Sequence, residues 1–129
     1  MATLSKPQYN FLRDWIAELP GVSEAPHRFG GTEFLVDGLE FMHFHGLSYL
    51  DIRLSKEDRE RVLERGGAQE HRAPKHAQAG WVTFMIRSED DIPTAKEIIR
   101  LAYSNAKRLM DTHIALRAKA TLSSNKTSR

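Results

Sequence analysis

Hydrophobic residues recur at helical spacing near both ends of the chain and alternate with polar residues in its middle. At the N-terminal end a helix is predicted from about Lys6 to Leu19, with Ser5 as its cap and one apolar face. That face consists of Phe11, Leu12, Trp15, Ile16 and Leu19. A second helical pattern begins near Pro93 and continues to about Lys119, so a long helix is predicted to close the fold.

The middle of the chain shows the alternation that is typical of half-buried strands. Thr32–Val36 and Leu39–His45 flank Asp37-Gly38, which is a strong hairpin signal. The turn Gly46-Leu47 then leads into a third strand, predicted at Ser48–Leu54. These three segments are predicted to form consecutive antiparallel strands.

A short polar helix and two more strands are predicted to follow. Ser55 caps the helix, Gly66-Gly67 ends it, and strands follow at 68–72, at the sheet edge, and at Trp81–Arg87. The predicted order is therefore helix, three strands, helix, two strands, helix. This order indicates a two-layer α+β fold, an antiparallel sheet with helices on one face.

The 129 residues fit a single domain, predicted at residues 1–119, with a disordered tail at 120–129. The chain contains no cysteine, which excludes disulfides, thiolate zinc sites and iron–sulfur clusters. No signal-peptide pattern or membrane-length apolar run is present in the sequence. A cytoplasmic location and no membrane partner are therefore predicted.

Charge is distributed unevenly along the chain. From Lys96 to Arg129 there are eight lysines and arginines against two acids, a net of +6, whereas residues 1–95 carry a net of −4. A basic C-terminal segment permits weak, electrostatic binding to nucleic acid. The candidate phosphate contacts are Lys107, Arg108, Arg117 and Lys119.

The chemistry-bearing pattern of the chain is a pair of histidines, His43 and His45, on one predicted strand. Paired imidazoles supply metal sites and acid–base chemistry. With two-residue turns at 37–38 and 46–47, the hairpin register places His43 toward the helix layer and Asp51 away from it. A site shared by His43, His45 and Asp51 would need a bulge or a longer turn. We therefore interpret His43 as a hydrogen-bonded residue at the sheet margin, and predict no metal and no cofactor.

The sheet face opposite the predicted core mixes aromatic and charged residues, as binding surfaces do. The candidate ligand-binding residues are His43, His45, Asp51, Arg53, His71 and Trp81. At about 40 Å the last helix is longer than a strand of about 20 Å, so it is predicted to overhang the sheet and to self-associate through about Leu109 to Leu116. A small binding module, as a homodimer or with a protein partner, is the function we favour. The alternative is a compact enzyme, or a metal- or small-ligand-binding protein, that uses the His43/His45 region.

Several short sequence motifs of the chain resemble those of two families of small proteins. The chain is similar to the "luciferase domain" family in Pro26–Gly31, His43–Gly46, Asp51, His71, Pro74 and Gly80–Val82. More distantly it resembles the MmcQ/YjbR family in Leu50–Leu54, Lys56–Arg65, Gly80–Val82 and Ala102–Ser104.

The second resemblance implies a secretion-chaperone-like, YjbR-like α+β fold, and suggests DNA binding. The first does not imply light-producing chemistry, because 129 residues cannot hold a (β/α)₈ barrel and the sequence has no flavin motif.

Overall fold

A computed structural model describes the backbone of residues 4–26, 31–47, 49–66, 68–70 and 79–127. Side chains are described for these residues up to 120, apart from Glu70. The elements in chain order are α1 (Lys6–Ala17), β1 (Val22–Pro26), β2 (Thr32–Val36), β3 (Leu39–His45), β4 (Tyr49–Arg53), α2 (Lys56–Arg65), β5 (Ala68–Glu70), β6 (Trp81–Met85), a 3-10 turn (Glu89–Asp91) and α3 (Ile92–Thr127).

In the part of the chain that the structure describes, six strands form one sheet in the order β1-β2-β3-β4-β6-β5, and every neighbouring pair is antiparallel. The predicted α+β class is confirmed. The predicted element order is wrong in one respect, because β1 precedes β2 and makes four strands before α2. The segment Val22–Pro26 has few apolar residues and ends in proline, which an edge strand tolerates and a central strand does not.

Helices α1 and α3 pack on the same face of the sheet. The Tyr9 ring of α1 meets Phe44 edge-on at 5.0 Å between ring centroids, and Phe41 meets Tyr103 of α3 at 5.9 Å. The core between these layers consists mainly of aliphatic and aromatic side chains. Its fully buried large side chains include Leu12, Ile16, Phe34, Phe44, Leu50, Ile52, Val82 and Ile99.

Local capping follows the sequence closely. The Ser5 hydroxyl accepts a hydrogen bond from the Gln8 amide, and the Gln8 side chain accepts one from the Ser5 amide, which confirms the predicted cap.

The predicted apolar face of α1 is partly wrong. Tyr9, Leu12 and Ile16 are its buried residues, whereas Phe11 is 58% exposed. Phe11 lies one residue before Leu12, about 100° away around the helix, and so lies outside the buried line.

Helix α3 has 36 residues, about 54 Å, and continues to Thr127 rather than ending near Lys119 as predicted. Among its side chains described, up to residue 120, the last buried one is that of Ala106, and every residue from 111 to 120 is exposed. The overhang is thus present, while the division into a domain at 1–119 and a disordered tail at 120–129 stays a prediction. Within the described ranges, no helix has the length and apolar character needed to cross a membrane.

Candidate functional site

A β-bulge at Phe41 decides which face of the sheet carries the histidines. On β2, Leu35 pairs with Glu40 but the preceding residue, Phe34, pairs with Met42, so Phe41 is an extra residue in β3. One extra residue reverses the alternation of all the side chains beyond it. The prediction that His43 faces the helix layer is therefore wrong.

The turn between β3 and β4 is also longer than predicted. His45 pairs with Tyr49 and His43 with Asp51, so three residues instead of two separate the last pair of the two strands along the chain. Since Phe44 and Leu50 pair with each other in the core, the residues that alternate with them lie on the opposite face. The bulge and the longer turn together bring His43, His45 and Asp51 onto one face.

Three side-chain atoms converge at this point. The distance from Asp51 Oδ2 to His43 Nε2 is 2.9 Å, and to His45 Nε2 it is 2.7 Å. The two Nε2 atoms lie 2.9 Å apart. Asp51 is only 2% exposed and His43 6%, whereas His45 is partly open to solvent. The three atoms form a nearly equilateral triangle in a largely buried site.

A second layer of groups contacts the triangle. Glu40 Oε2 lies 2.9 Å from His43 Nδ1, and the Thr83 hydroxyl donates to Asp51 Oδ1 at 2.6 Å. The Tyr49 ring stacks on the His45 ring at 4.7 Å, with 18° between their planes. Each of the three residues is therefore oriented by a neighbour: His43 by Glu40, Asp51 by Thr83 and His45 by the Tyr49 ring.

Burial and hydrogen bonding oppose each other in setting the protonation of the site. Burial lowers the pKa of His43, but its hydrogen bonds to Asp51 and Glu40 outweigh this and raise that pKa to about 9. Burial raises the pKa of Asp51, but hydrogen bonds from His43, Thr83 and His45 outweigh it and hold that pKa well below its usual range. At neutral pH the metal-free site therefore pairs an imidazolium with a carboxylate.

The remaining ligand-binding candidates lie around this triangle or outside the described residues. Trp81 is buried, and its ring lies 5.4 Å from that of His43. Arg53 lies on the same face but donates from Nε to the Ala79 carbonyl at 3.2 Å. His71 lies outside the described residues, and its role stays a prediction.

Sequence reasoning placed Thr83 on the same sheet face as Asp51 but assigned neither Thr83 nor Glu40 to the site. Glu40 and His43 are three residues apart, a spacing that puts side chains on opposite faces of a regular strand. Only the bulge makes them neighbours. Thr83 is a common β-former in a strand and gives no chemical signal by itself. Its pairing with Asp51 across β4 and β6 would have indicated it.

The four predicted nucleic-acid residues all lie on α3 and do not converge with the histidines. The Lys107 ammonium pairs with Asp37 at 2.6 Å, and Arg108 donates to the Asn105 side chain at 2.9 Å. Arg117 and Lys119 are exposed on the overhang. Weak nucleic-acid binding through these residues stays a prediction.

Comparison with known proteins identifies the family. The model of the Luciferase domain family matches residues 38–102, just over half of the 129-residue chain. A search of curated proteins finds no match. The matched segment extends from the β2–β3 turn into α3 and contains the whole His43–His45–Asp51 triangle. The similarity to the MmcQ/YjbR family stays a prediction, whereas the other resemblance is confirmed: the chain belongs to the Luciferase domain family.

Proposed function

We propose that this domain binds one divalent transition-metal ion between His43, His45 and Asp51. The observation that carries the proposal is the convergence of two imidazole Nε2 atoms and one carboxylate oxygen within 2.9 Å of one another. Two histidines and one carboxylate are a recurrent ligand set for iron(II), zinc and related ions. This proposal takes up the metal-binding alternative for the His43/His45 region, in place of the predicted absence of a metal.

The spacing of the ligand atoms favours one coordination geometry. Ligands about 2.1 Å from a metal lie about 3.0 Å apart at right angles and about 3.4 Å apart at the tetrahedral angle. The three observed separations are 2.7 to 2.9 Å. They fit one triangular face of an octahedron, the arrangement known as a facial triad. An ion so held has coordination positions left for water or a small ligand.

Charge also favours a cation at this site. A buried positive ion is costly unless a negative group compensates it. The Asp51 carboxylate, with its lowered pKa, supplies that charge at neutral pH. Binding requires His43 to lose the proton on Nε2, so metal and proton compete for this nitrogen. A bound ion would supply Lewis acidity, and the side chains would orient it.

Titration of metal-stripped protein with Co²⁺, followed by absorption spectroscopy and calorimetry, tests the proposal. One equivalent is expected to bind, with the weak visible absorption of a six-coordinate ion. Loss of a second-layer group costs about 10–100-fold in affinity, so His43→Ala, His45→Ala and Asp51→Asn should each cost at least about 100-fold.

His113→Ala is the matched control, because His113 is exposed on the α3 overhang and lies outside the triangle. It should bind Co²⁺ like the wild type. Circular dichroism of each variant shows whether it is folded. The proposal is wrong if folded wild type takes up no Co²⁺ at millimolar concentration, or if the three ligand variants bind like the control.

A second function, self-association, is supported by the α3 overhang. The helix face that packs Ala102 and Ala106 against the sheet continues, at the same spacing, through Leu109 and Leu116. The exposed large apolar residues of the overhang are Leu109 at 41%, Ile114 at 55% and Leu116 at 61%. We infer that a second copy of the chain covers this face, which makes the protein a homodimer.

Sedimentation of Leu116→Glu tests the homodimer. Placing a carboxylate in an apolar contact should weaken association by at least about 30-fold, or about 2 kcal/mol. Ala118→Glu is the control, because residue 118 is exposed about 200° around the helix from residue 116. A wild type that stays monomeric at high concentration would contradict the inference, as would equal effects of the two substitutions.

A further inference from the structure

We propose that Glu40 is a positioning residue of the site, one that accepts the Nδ1 proton of His43 and thereby directs the Nε2 lone pair at the metal position. This inference rests on the proposed metal-binding function. It concerns how the site is oriented, since Glu40 lies behind His43 and does not belong to the triangle.

The two nitrogens of His43 each face a carboxylate. Nδ1 lies 2.9 Å from Glu40 Oε2, and Nε2 lies 2.9 Å from Asp51 Oδ2. An ionised carboxylate only accepts hydrogen bonds, and a neutral imidazole has one N–H and one lone pair. With its proton on Nδ1, the ring donates to Glu40 and presents its lone pair beside His45 Nε2. That tautomer is the one able to bind an ion at the triangle.

The bulge in β3 places Glu40 beside His43. The bulge interrupts the regular strand pairing at Phe41, and it allows both Phe41 and Met42 to be fully buried. The same extra residue puts Glu40 and His43 on one face, although they are three positions apart. One irregularity of the chain therefore serves both the core and the orientation of the histidine.

Glu40 also differs in setting from a neighbouring acid. Its side chain is about three-quarters shielded from solvent, so its hydrogen bond to His43 faces little competition from water. Glu33 is the acid that pairs directly with His43 across β2 and β3. Substituting Glu33 removes one acidic side chain from the strand position that pairs with His43, without removing the hydrogen bond to Nδ1. The two residues therefore allow charge and hydrogen bonding to be separated.

The experiment compares Glu40→Ala, Glu40→Gln and Glu33→Ala by two readouts. The first is Co²⁺ affinity, which Glu40→Ala should lower by about 10–100-fold. Glu40→Gln should restore most of it, because the amide oxygen still accepts the Nδ1 proton. Glu33→Ala should change it only a few-fold.

The second readout is the ¹⁵N NMR signature of His43 in metal-free protein at pH 10, where the ring is neutral. Since Asp51 lies as close to Nε2 as Glu40 lies to Nδ1, the quantity compared is the share of the ring proton found on Nδ1. That share should be larger in wild type, Glu40→Gln and Glu33→Ala than in Glu40→Ala. An unchanged tautomer in folded Glu40→Ala would overturn the positioning role. A wild type that fails to bind Co²⁺ overturns the proposed function instead. The tautomer comparison uses metal-free protein, so it would still test whether Glu40 orients the His43 ring.

Discussion

Replacing Gly80 with alanine is expected to destabilise the domain by about 4 kcal/mol or more, among the largest effects of a single substitution. Gly80 has φ of +100°, which disfavours residues with a side chain. A Cβ at this position would lie 2.3 Å from the Leu54 carbonyl oxygen. The Gly80 carbonyl also accepts the Leu54 amide hydrogen bond at 3.0 Å, so the two backbones are held close together. Neither backbone segment can yield as a flexible side chain would.

Gly38→Ala separates conformational strain from that close contact. Gly38 has φ of +88°, but no atom of the described residues lies within 4 Å of a Cβ built there. Gly38→Ala should therefore lower the free energy of unfolding by only about 1–2 kcal/mol. Urea unfolding followed by circular dichroism measures both free energies. Equal losses in the two variants would show that the contact with Leu54 is not what requires glycine.

The positions of β2 and β3, unlike that of β1, were predictable because alternation depends only on neighbouring residues. Thr32–Val36 and Leu39–His45 begin and end where the sequence predicted. The faces of those strands were not predictable in the same way, because one extra residue in a turn or a bulge reverses every later side chain. The predicted site differs from the observed one because Phe41 is an extra residue in β3 and because His45 pairs with Tyr49, one residue later than predicted.

Energetics explains why the observed register is preferred over the predicted one. The regular register would have turned Phe44 toward the polar face and His43 into the core. The observed register buries Phe44 against Tyr9 and Phe34, and it groups the ionisable side chains where they bond one another. Burying an aromatic ring while pairing the polar groups is worth more than the regular pairing lost at one bulge. The energy difference between the two registers depends on contacts with the neighbouring strand and with helix α1. The hydrophobic pattern of one strand alone therefore cannot predict which register forms.

The metal-free protein is expected to lose about 3 kcal/mol of its free energy of unfolding as the pH rises from about 6.5 to above 9. The pKa of His43 is raised from 6.5 to about 9 in the folded state by Asp51 and Glu40, which outweigh burial. A raised pKa gives stability that is fully present below the unfolded value and lost as the pH passes the folded one. Asp51 has a lowered pKa, so its contribution is present above its unfolded value of 3.8 and is lost as the pH falls toward its folded pKa. Both contributions are therefore present between about pH 4 and 6.5.

Urea unfolding at pH 6, 8 and 10 with a chelator present measures this dependence. His43→Gln should flatten the fall between pH 6.5 and 9, because glutamine has no proton to lose. His113→Gln should leave the fall in place, because His113 is exposed on the α3 overhang. If His43→Gln kept the full dependence, another group would be responsible for it, and the ion pair of His43 with Asp51 would not stabilise the fold. Saturating metal should raise stability most above pH 9, where the ion no longer has to displace the His43 proton.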